Sequence, residues 1–503
     1  MELSIKSLRN RVDPFLAELG TLYYRHGAGL SPNLPLTELF DEFPELGRPE
    51  AFTLVREALE RRTMEEDDRR RARALLEFVA SQIEDRLAAG AVEEIAALEG
   101  AQVAGPNGTL PFREAVAQLP AEPTRARREL MEQALSGFLF ENPRPYARRR
   151  EAANQTARLL GFDGYVALRD LVSGFSHGDL AAECQVVLER TDDAYRDVLT
   201  YVMKKVDPEL RPRPQGTARR HDLLRAATAP WLGEHFRRED LLPTVFRCVE
   251  AMGFHPSANG RIQLDTDDRP GKSPRAFVAD VRVPDDVRLV VRRGQGLEDY
   301  YSLLHEYGHA LHFAHISRTA PVEHRRLGDG SVSESWAYLF DHFLIDEKWH
   351  RRQLRLATPA AREAARIAAF NNLALLRRYC VKLPYELALY ARGPVRELAD
   401  EYEELHTAAL HVSVPKGYFL YDVDPHLYAA RYLRAWALEA RLHPFMQERF
   451  NEDFWRNPAT GRWLAERFER GQREDAEAIA AQLTGKKLSL VEAGERLVSV
   501  LNR

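Results

Sequence analysis

Cysteine is scarce in this sequence. The 503 residues include only three, Cys184, Cys248 and Cys380, which are widely separated and form no CxxC pair. An odd number of cysteines without close spacing argues against a disulfide framework and against a thiolate zinc site. We therefore expect a protein of a reducing compartment, the cytoplasm.

Long apolar runs are also missing. No segment reaches the roughly 18 uninterrupted apolar residues that a membrane span requires. The N-terminus, which begins Met1-Glu2-Leu3-Ser4, has no apolar stretch followed by small residues, as a secretory signal would. The sequence therefore predicts neither a membrane partner nor export.

The sequence has no strong excess of charge of either sign. Lysine and arginine total 71 and aspartate and glutamate total 76, which gives a formal net charge of −5. A protein that coats a polyanion needs a marked positive excess, so nucleic acid is not an expected partner. At 503 residues the chain can build a core without disulfides or metal, so any bound metal is free to be catalytic.

Helical periodicity dominates the chain. From the start to about residue 250, apolar residues recur at helical spacing between short breaks rich in proline and glycine, which predicts stacked amphipathic helices. After Gly296 the same periodicity returns almost to the C-terminus. The expected fold is mainly α, with a helical N-terminal lobe at 1–255 and a catalytic lobe at 256–503.

A short region between these two helical stretches has a different pattern. Apolar residues alternate from Phe277 to Val283, a turn follows at Pro284-Asp285-Asp286, and a second apolar run spans 287–291. Alternation with a period of two is typical of strands. We expect a small β-hairpin or sheet there, just before the segment that carries the chemistry.

That segment contains His305-Glu306-Tyr307-Gly308-His309. Two histidines four residues apart lie on one face of a helix, so both imidazoles can reach a single ion at about 2.0 to 2.1 Å. Glu306 projects beside that face, where it can contact the water that a metal activates without becoming a ligand. This is the geometry of a general base. The alternative is that His305 and His309 are two buried, hydrogen-bonded histidines.

A catalytic zinc needs a third protein ligand, and Glu334 is the best candidate. It lies 25 residues after His309, where a new helix begins among Trp336, Leu339 and other apolar residues. An isolated carboxylate in such surroundings is costly to bury unless a cation compensates it. Alternatively, Glu334 is a first-turn residue that interacts with the helix dipole. Glu323 is a weaker rival.

These residues resemble a known family. The HEYGH motif, the glutamate 25 residues later and the lead-in Asp299–Leu304 are similar to the thimet oligopeptidase and oligoendopeptidase F family of zinc peptidases. The similarity extends from about Asp265 to the C-terminus. The resemblance implies a Zn²⁺ cofactor and a two-lobed, helical zincin-type body around a deep channel. It also implies short unfolded peptides as substrates, cut at internal bonds.

Members of that family carry a histidine and tyrosines, after the zinc segment, that contact the substrate and stabilise the transition state. The matching stretch runs from Asp424 to Trp436. The resemblance assigns catalytic roles to His426 and Tyr432, and substrate binding to Tyr428. A phenol or imidazole aimed at the oxyanion can contribute several kcal/mol.

The match departs from the family at one place. Residues 433–436 follow Tyr432 where the family has further tyrosines. Tyr418 and Tyr421, which follow the flexible Lys416-Gly417, could therefore bind the substrate instead. The competing interpretation is a helix face that packs its aromatic residues into the core.

Two other functions compete with an oligopeptidase. A metallocarboxypeptidase resembling the carboxypeptidase Taq family is also helical, and it would bind the C-terminal carboxylate of its substrate through arginine or lysine. The second alternative is a catalytically silent, zinc-bound scaffold. The intact Glu306 argues against a silent protein, which has no need of a base.

Overall fold

The computed structural model describes residues 3–61, 64–292, 294–393 and 396–502. Helix accounts for 68% of it and strand for 5%, so the predicted mainly α fold is confirmed. Within the described residues, no helix combines the length and the apolar character needed to cross a bilayer.

The first half consists of helices joined by short turns, as its periodicity predicts. They are α1 (Ile5–Gly27), α2 (Leu36–Glu42), α3 (Pro49–Leu59), α4 (Glu66–Leu98), α5 (Phe112–Gln118), α6 (Arg125–Glu141), α7 (Arg144–Leu159), α8 (Tyr165–Ser173), α9 (His177–Arg190), α10 (Asp192–Val206), α11 (Arg220–Ala227) and α12 (Leu241–Ala251).

A hairpin interrupts these helices at a place where only a helix break was expected. Its strands are β1 (Gln102–Gly105) and β2 (Gly108–Pro111), paired antiparallel. Strands of four residues are too short to establish an alternating pattern. The Gly-Pro-Asn-Gly turn between them therefore gave only the signal of a break.

The predicted sheet before the HEYGH segment is present and has one strand more than expected. Its strands are β3 (Ile262–Asp265), β4 (Phe277–Arg282) and β5 (Asp286–Val290), in the order β3-β5-β4. β4 and β5 form the expected antiparallel pair, and β3 runs parallel to β5. Helix α1 packs closely on β4. The approach is so close that a Cβ added at Gly20 would lie 3.3 Å from the Cα of Val281.

The second half returns to helices. They are α13 (Leu297–His315), α14 (Val322–Arg326), α15 (Gly330–Asp341), α16 (Glu347–Gln353), α17 (Thr358–Arg392), α18 (Leu398–Leu410), α19 (Ala429–Phe450), α20 (Pro458–Phe468), α21 (Ala476–Thr484) and α22 (Leu490–Leu501). α13 begins directly after Gly296, whose φ of 116° suits glycine, and it has Glu298 and Asp299 in its first turn, as expected.

Close packing of α13 on α15 brings the candidate ligands together. A Cβ at Gly308 would lie 2.7 Å from the Cα of Ala337 and 3.0 Å from the carbonyl oxygen of Trp336. Only a residue without a side chain permits this approach. The glycine of the HEYGH motif is thus a packing residue, and it sets the distance between the histidines on α13 and Glu334 on α15.

The apolar residues form two cores. The smaller core gathers α1 to α4 with parts of α7 and α8. The larger core joins α9 and α10 to α17, α19 and α22. In it, the ring of Tyr195 on α10 stacks on that of Phe370 on α17, with 5.4 Å between the ring centroids. Helices from both sides of residue 255 share the larger core. The division into lobes at 1–255 and 256–503 stays a prediction.

Candidate metal centre

His305, His309 and Glu334 meet at one point of the structure. One ligand atom from each lies within 4.8 Å of the others. The carboxylate oxygen Oε2 of Glu334 is 3.4 Å from Nε2 of His305 and 3.3 Å from Nε2 of His309. Two helical turns of α13 and one of α15 thus present three ligand atoms to a shared space.

The state of Glu334 shows that these residues fit a cation. Oε2 is buried and has no hydrogen-bond partner, whereas Oε1 accepts a hydrogen bond of 3.0 Å from the hydroxyl of Tyr428. Burial alone would raise the pKa of Glu334, but the neighbouring imidazoles outweigh it and hold the pKa well below its usual range. An ionised, buried carboxylate oxygen without a hydrogen bond is costly unless a positive charge faces it, which either protonated imidazoles or a bound cation can supply. Two imidazoles and a carboxylate suit a first-row transition metal.

Each histidine is oriented by a partner at its other ring nitrogen. Nδ1 of His305 lies 2.8 Å from Oδ2 of Asp341, and Nδ1 of His309 lies 2.9 Å from the hydroxyl of Ser333. These contacts fix both rings with Nε2 directed toward the shared space. Asp341 is fully buried, so its negative charge acts on His305 with little screening by solvent.

Neither of these two partners was predicted from the sequence. Asp341 lies seven residues after Glu334, which is two helical turns, and so shares a face of α15 with it. That spacing was a usable signal. Ser333 precedes Glu334 directly and gives no comparable periodic signal.

Glu306 lies beside the three ligand residues and is not one of them. Its Oε2 accepts a hydrogen bond of 2.9 Å from the backbone N–H of Val278 on β4. Burial raises the pKa of Glu306 above its usual value. The strand that precedes α13 thus holds the carboxylate in a fixed position next to the candidate metal site.

A cavity of about 340 Å³ opens onto the centre. It is lined by the three candidate ligands, Glu306 and residues of β4, α14 and α15. Tyr428 and Tyr432, which were predicted from the resemblance, also line it. The structure therefore brings six of the nine predicted site residues to one cavity.

The two tyrosines are in different states. The hydroxyl of Tyr428 is bound to Glu334 and packs against Gly330, where an added Cβ would lie 3.0 Å from it. The ring of Tyr432 contacts the rings of Tyr428 and Tyr379, each at 5.0 Å between centroids. Among the described residues, no hydrogen bond reaches the hydroxyl of Tyr432, so this group is free to serve a ligand in the cavity.

His426, a predicted catalytic residue, does not reach the centre. Its Nε2 lies 3.0 Å from Oδ1 of Asp85 on α4, and it is not among the residues that line the cavity. The cause is the backbone, since His426 and Leu427 have φ values of 57° and 52°, in the left-handed region. This turn carries the imidazole toward α4, while Tyr428, just before α19, and Tyr432, in its first turn, line the cavity.

Tyr418 and Tyr421, predicted as substrate contacts, also lie away from the cavity. Tyr418 is buried beneath the guanidinium group of Arg220, which sits 4.3 Å from the centroid of its ring. Tyr421 is 36% exposed and packs edge-on against Phe112 at 5.7 Å. Both belong to an aromatic cluster with α5 and α7, and neither is among the described residues that line the cavity.

Arginines were not predicted at the centre, but two of them line the cavity. Arg326 donates from Nη1 to the carbonyl oxygen of Asp280 at 2.7 Å, and Arg325 donates from Nη1 to that of Val283 at 2.9 Å. Both come from the short helix α14, in a stretch expected to be a loop. In a chain this rich in arginine, no local pattern distinguished them.

The chain matches no known family model, and no curated protein is similar enough to it to count as a relative. The geometry of the centre is therefore the ground on which its chemistry can be inferred.

Proposed function

We propose that the protein is a zinc-dependent peptidase that hydrolyses internal bonds of short, unfolded peptides. One observation carries this proposal: the unpartnered Oε2 of Glu334 faces two imidazole nitrogens, and the carboxylate of Glu306 stands next to them without joining them. Three ligands with a separate carboxylate form the usual arrangement for hydrolysis assisted by a metal.

His305, His309 and Glu334 would hold the ion, and Asp341 and Ser333 would keep the two rings in place. A zinc ion bound by these residues supplies Lewis acidity, which polarises the carbonyl of the scissile bond and lowers the pKa of water to about 7. Among the described residues, no other group at the centre could supply this Lewis acidity.

Glu306 moves the proton. Because the N–H of Val278 occupies its Oε2, Oε1 is the oxygen available to accept a proton from the attacking water. The same carboxyl group then gives that proton to the nitrogen of the leaving amine. A raised pKa favours the first step, since a more basic carboxylate accepts the proton of the water more readily.

Tyr432 would stabilise the oxyanion. Tyr432 lines the cavity, and no hydrogen bond reaches its hydroxyl among the described residues, whereas the proton of the Tyr428 hydroxyl is already donated to Glu334. A donor that is oriented before the reaction stabilises the transition state without a reorganisation cost. Tyr428 instead orients a ligand carboxylate.

The outer edge of β4 would bind an extended peptide, but only over a short length. The N–H of Val278 is bound to Glu306, and the carbonyl of Asp280 is bound to Arg326. Two main-chain groups of this edge are thus already paired and cannot add a substrate strand. This favours short substrates with loose sequence preference. The two-lobed body around a deep channel, which the resemblance implies, stays a prediction.

A carboxypeptidase is the second candidate, because Arg325 and Arg326 line the cavity. A guanidinium group there could bind a terminal carboxylate. Both arginines, however, are already bonded to backbone carbonyls, and Arg325 also donates to Asp13 at 2.6 Å. This engagement makes the endopeptidase the better-supported proposal. A silent scaffold is less supported still, because Glu306 is held in place to act.

The test compares the zinc-loaded protein with its Glu306→Gln variant on a mixed peptide library, read by mass spectrometry. Glutamine preserves shape and removes the proton acceptor, so we expect turnover to fall by about 10²- to 10⁴-fold with zinc retained. Half of the peptides carry amidated C-termini.

Internal cleavage that is insensitive to amidation supports the proposal. Release of single C-terminal residues that stops on amidation would establish the carboxypeptidase instead. Equal turnover by the Glu306→Gln variant would exclude Glu306 as the base, and absence of cleavage by both proteins would favour the scaffold.

A further inference from the structure

A second and larger cavity, of about 880 Å³, lies away from the metal centre. It is formed by α16, the start of α17, α19 and α22, and it shares no lining residue with the cavity at the centre. Its volume is within the range of about 300 to 1,000 Å³ that is typical of small-molecule sites. The proposed peptidase function makes no use of it.

Basic residues outnumber acidic ones in the lining, five to three. The basic residues are Lys348, Arg351, Arg362, Arg366 and Arg496, and the acidic ones are Asp346, Glu347 and Glu363. All three carboxylates already have donors. Asp346 caps α16 and Glu363 accepts from Tyr201 and Trp231, at 2.7 and 3.2 Å. Glu347 is shared by Arg351 and Arg362, at 3.9 and 3.5 Å.

Outside the lining, Glu452 pairs with Lys348 and Glu439 pairs with Arg496. Arg366 is therefore the lining cation that has no acidic partner in the described part of the chain. It forms no ion pair among the described residues, its buried Nε has no hydrogen-bond partner, and its guanidinium lies 5.2 Å from the ring of Tyr201. A partly buried guanidinium group without an anion is costly, which indicates a binding partner from outside the chain. The planar fork of arginine matches phosphate oxygens in pairs.

Two further features of the wall face the same space. α17 is 35 residues long, and its N-terminus at Thr358 and Pro359 lines the cavity without a side-chain cap, so its dipole favours an anion there. His443 lines the cavity from α19 and is 6% exposed, with Nδ1 at 3.3 Å from Oε1 of Glu439. Among the residues that the structure describes, no hydrogen bond reaches its Nε2. Burial lowers the pKa of His443 to about 4, so near neutral pH Nε2 is an acceptor for a hydroxyl group.

We propose that this cavity binds a small phosphorylated polyol, whose phosphate group pairs with Arg366 near the start of α17 and whose hydroxyl group donates to His443. The unpaired guanidinium group of Arg366 selects the anion. The neutral imidazole selects a ligand that also carries a hydroxyl donor, which inorganic phosphate alone supplies poorly.

Titration calorimetry of the zinc-loaded protein tests this with ribose 5-phosphate, ribose, inorganic phosphate and gluconate. We expect ribose 5-phosphate to bind most tightly and ribose not to bind. Arg366→Gln should weaken the binding of ribose 5-phosphate by about tenfold or more. Arg392→Gln, the same substitution on the same helix outside the cavity, should leave it unchanged. These outcomes are independent of peptidase activity.

The proposal is overturned if ribose 5-phosphate does not bind, or if Arg366→Gln binds it as well as the unaltered protein does. Equal affinity for inorganic phosphate would remove the role of His443, and equal affinity for gluconate would remove the preference for phosphate. Circular dichroism checks that the variant is folded. Should Arg366→Gln fail to fold, Arg366→Lys keeps the charge but loses the fork, and weaker binding is again expected.

Discussion

The pair of helices α13 and α15 and the segment from Tyr418 to Tyr432 supply the candidate site in different ways. The helix pair presents all four of its predicted groups, His305, Glu306, His309 and Glu334, to the centre from regular backbone. The segment was expected to supply five more, but it brings only Tyr428 and Tyr432 to the cavity. Both of these follow the turn at His426 and Leu427, and they stand at the start of α19.

The difference shows what a helix contributes to a site. On α13, the spacing of four residues between His305 and His309 determines which way both side chains point. In the segment, each side chain depends on turns that are fixed by distant partners. Arg150 of α7, for example, donates to the carbonyl oxygens of Val423 and Asp424 at 2.8 and 3.1 Å. Local sequence does not encode such contacts.

Among the substitutions that test this difference between the helix pair and the segment, the largest effect is expected at Tyr432. Tyr432→Phe removes only the hydroxyl that we assign to the oxyanion, so turnover should fall by about 10²- to 10³-fold while KM changes little. His426→Asn is the matched change on the other side of the turn, and asparagine tolerates its left-handed backbone. We expect that variant to keep nearly full turnover. Steady-state kinetics on one peptide substrate measures both.

Equal losses in the two variants would return His426 to the catalytic machinery. The comparison would then fail, because the segment would act on the substrate as a whole. A Tyr432→Phe variant with native turnover would instead assign the oxyanion to the metal alone.

The next effect is within the helix pair and concerns the two residues that orient the histidines. Asp341→Asn should weaken zinc binding by about 10- to 100-fold, because it removes a buried charge from the hydrogen bond to His305. Ser333→Ala should weaken it less, since the bond from Ser333 to His309 involves a neutral hydroxyl. Competition with a chelator measures both affinities. Equal losses would mean that the charge of Asp341 contributes nothing.

Sequence alone predicted most of the helix pair and little of the segment. The mainly α fold and the β4–β5 hairpin followed from periodicity, as did the common face of His305 and His309. β1, β2 and β3 were missed, since strands of four residues have no readable period. Tyr428 and Tyr432 were predicted from the resemblance, which could not indicate that the backbone adopts a left-handed conformation at His426. The cavity at Arg366 depends on helices distant in sequence, and no local pattern reveals it.

The smallest expected change in a measured quantity, a few degrees in Tm, concerns how the segment is anchored. The ring of His406 on α18 lies 3.9 Å from that of Tyr402, whose hydroxyl donates to Asp422 of the segment at 2.9 Å. Burial lowers the pKa of His406 to about 4, although Asp422 acts in the opposite direction. In the unfolded chain the value is about 6.5. The unfolded state therefore binds a proton first as the pH falls. The stability contributed by neutral His406 is complete above pH 6.5 and is lost progressively down to pH 4.

This loss amounts to about 3 kcal/mol, or roughly 3 °C in Tm for a chain of this length. His406→Gln, which cannot be protonated, should flatten the fall in Tm between pH 6.5 and pH 4 by that amount. His255→Gln, at an exposed histidine, should leave the slope as it is. Thermal melting followed by circular dichroism measures both slopes. Parallel slopes for His406→Gln and the unaltered protein would mean that His406 already takes up its proton in the folded state. The contacts of His406 and Tyr402 that anchor the segment would then lose no more stability in acid than the helix pair does.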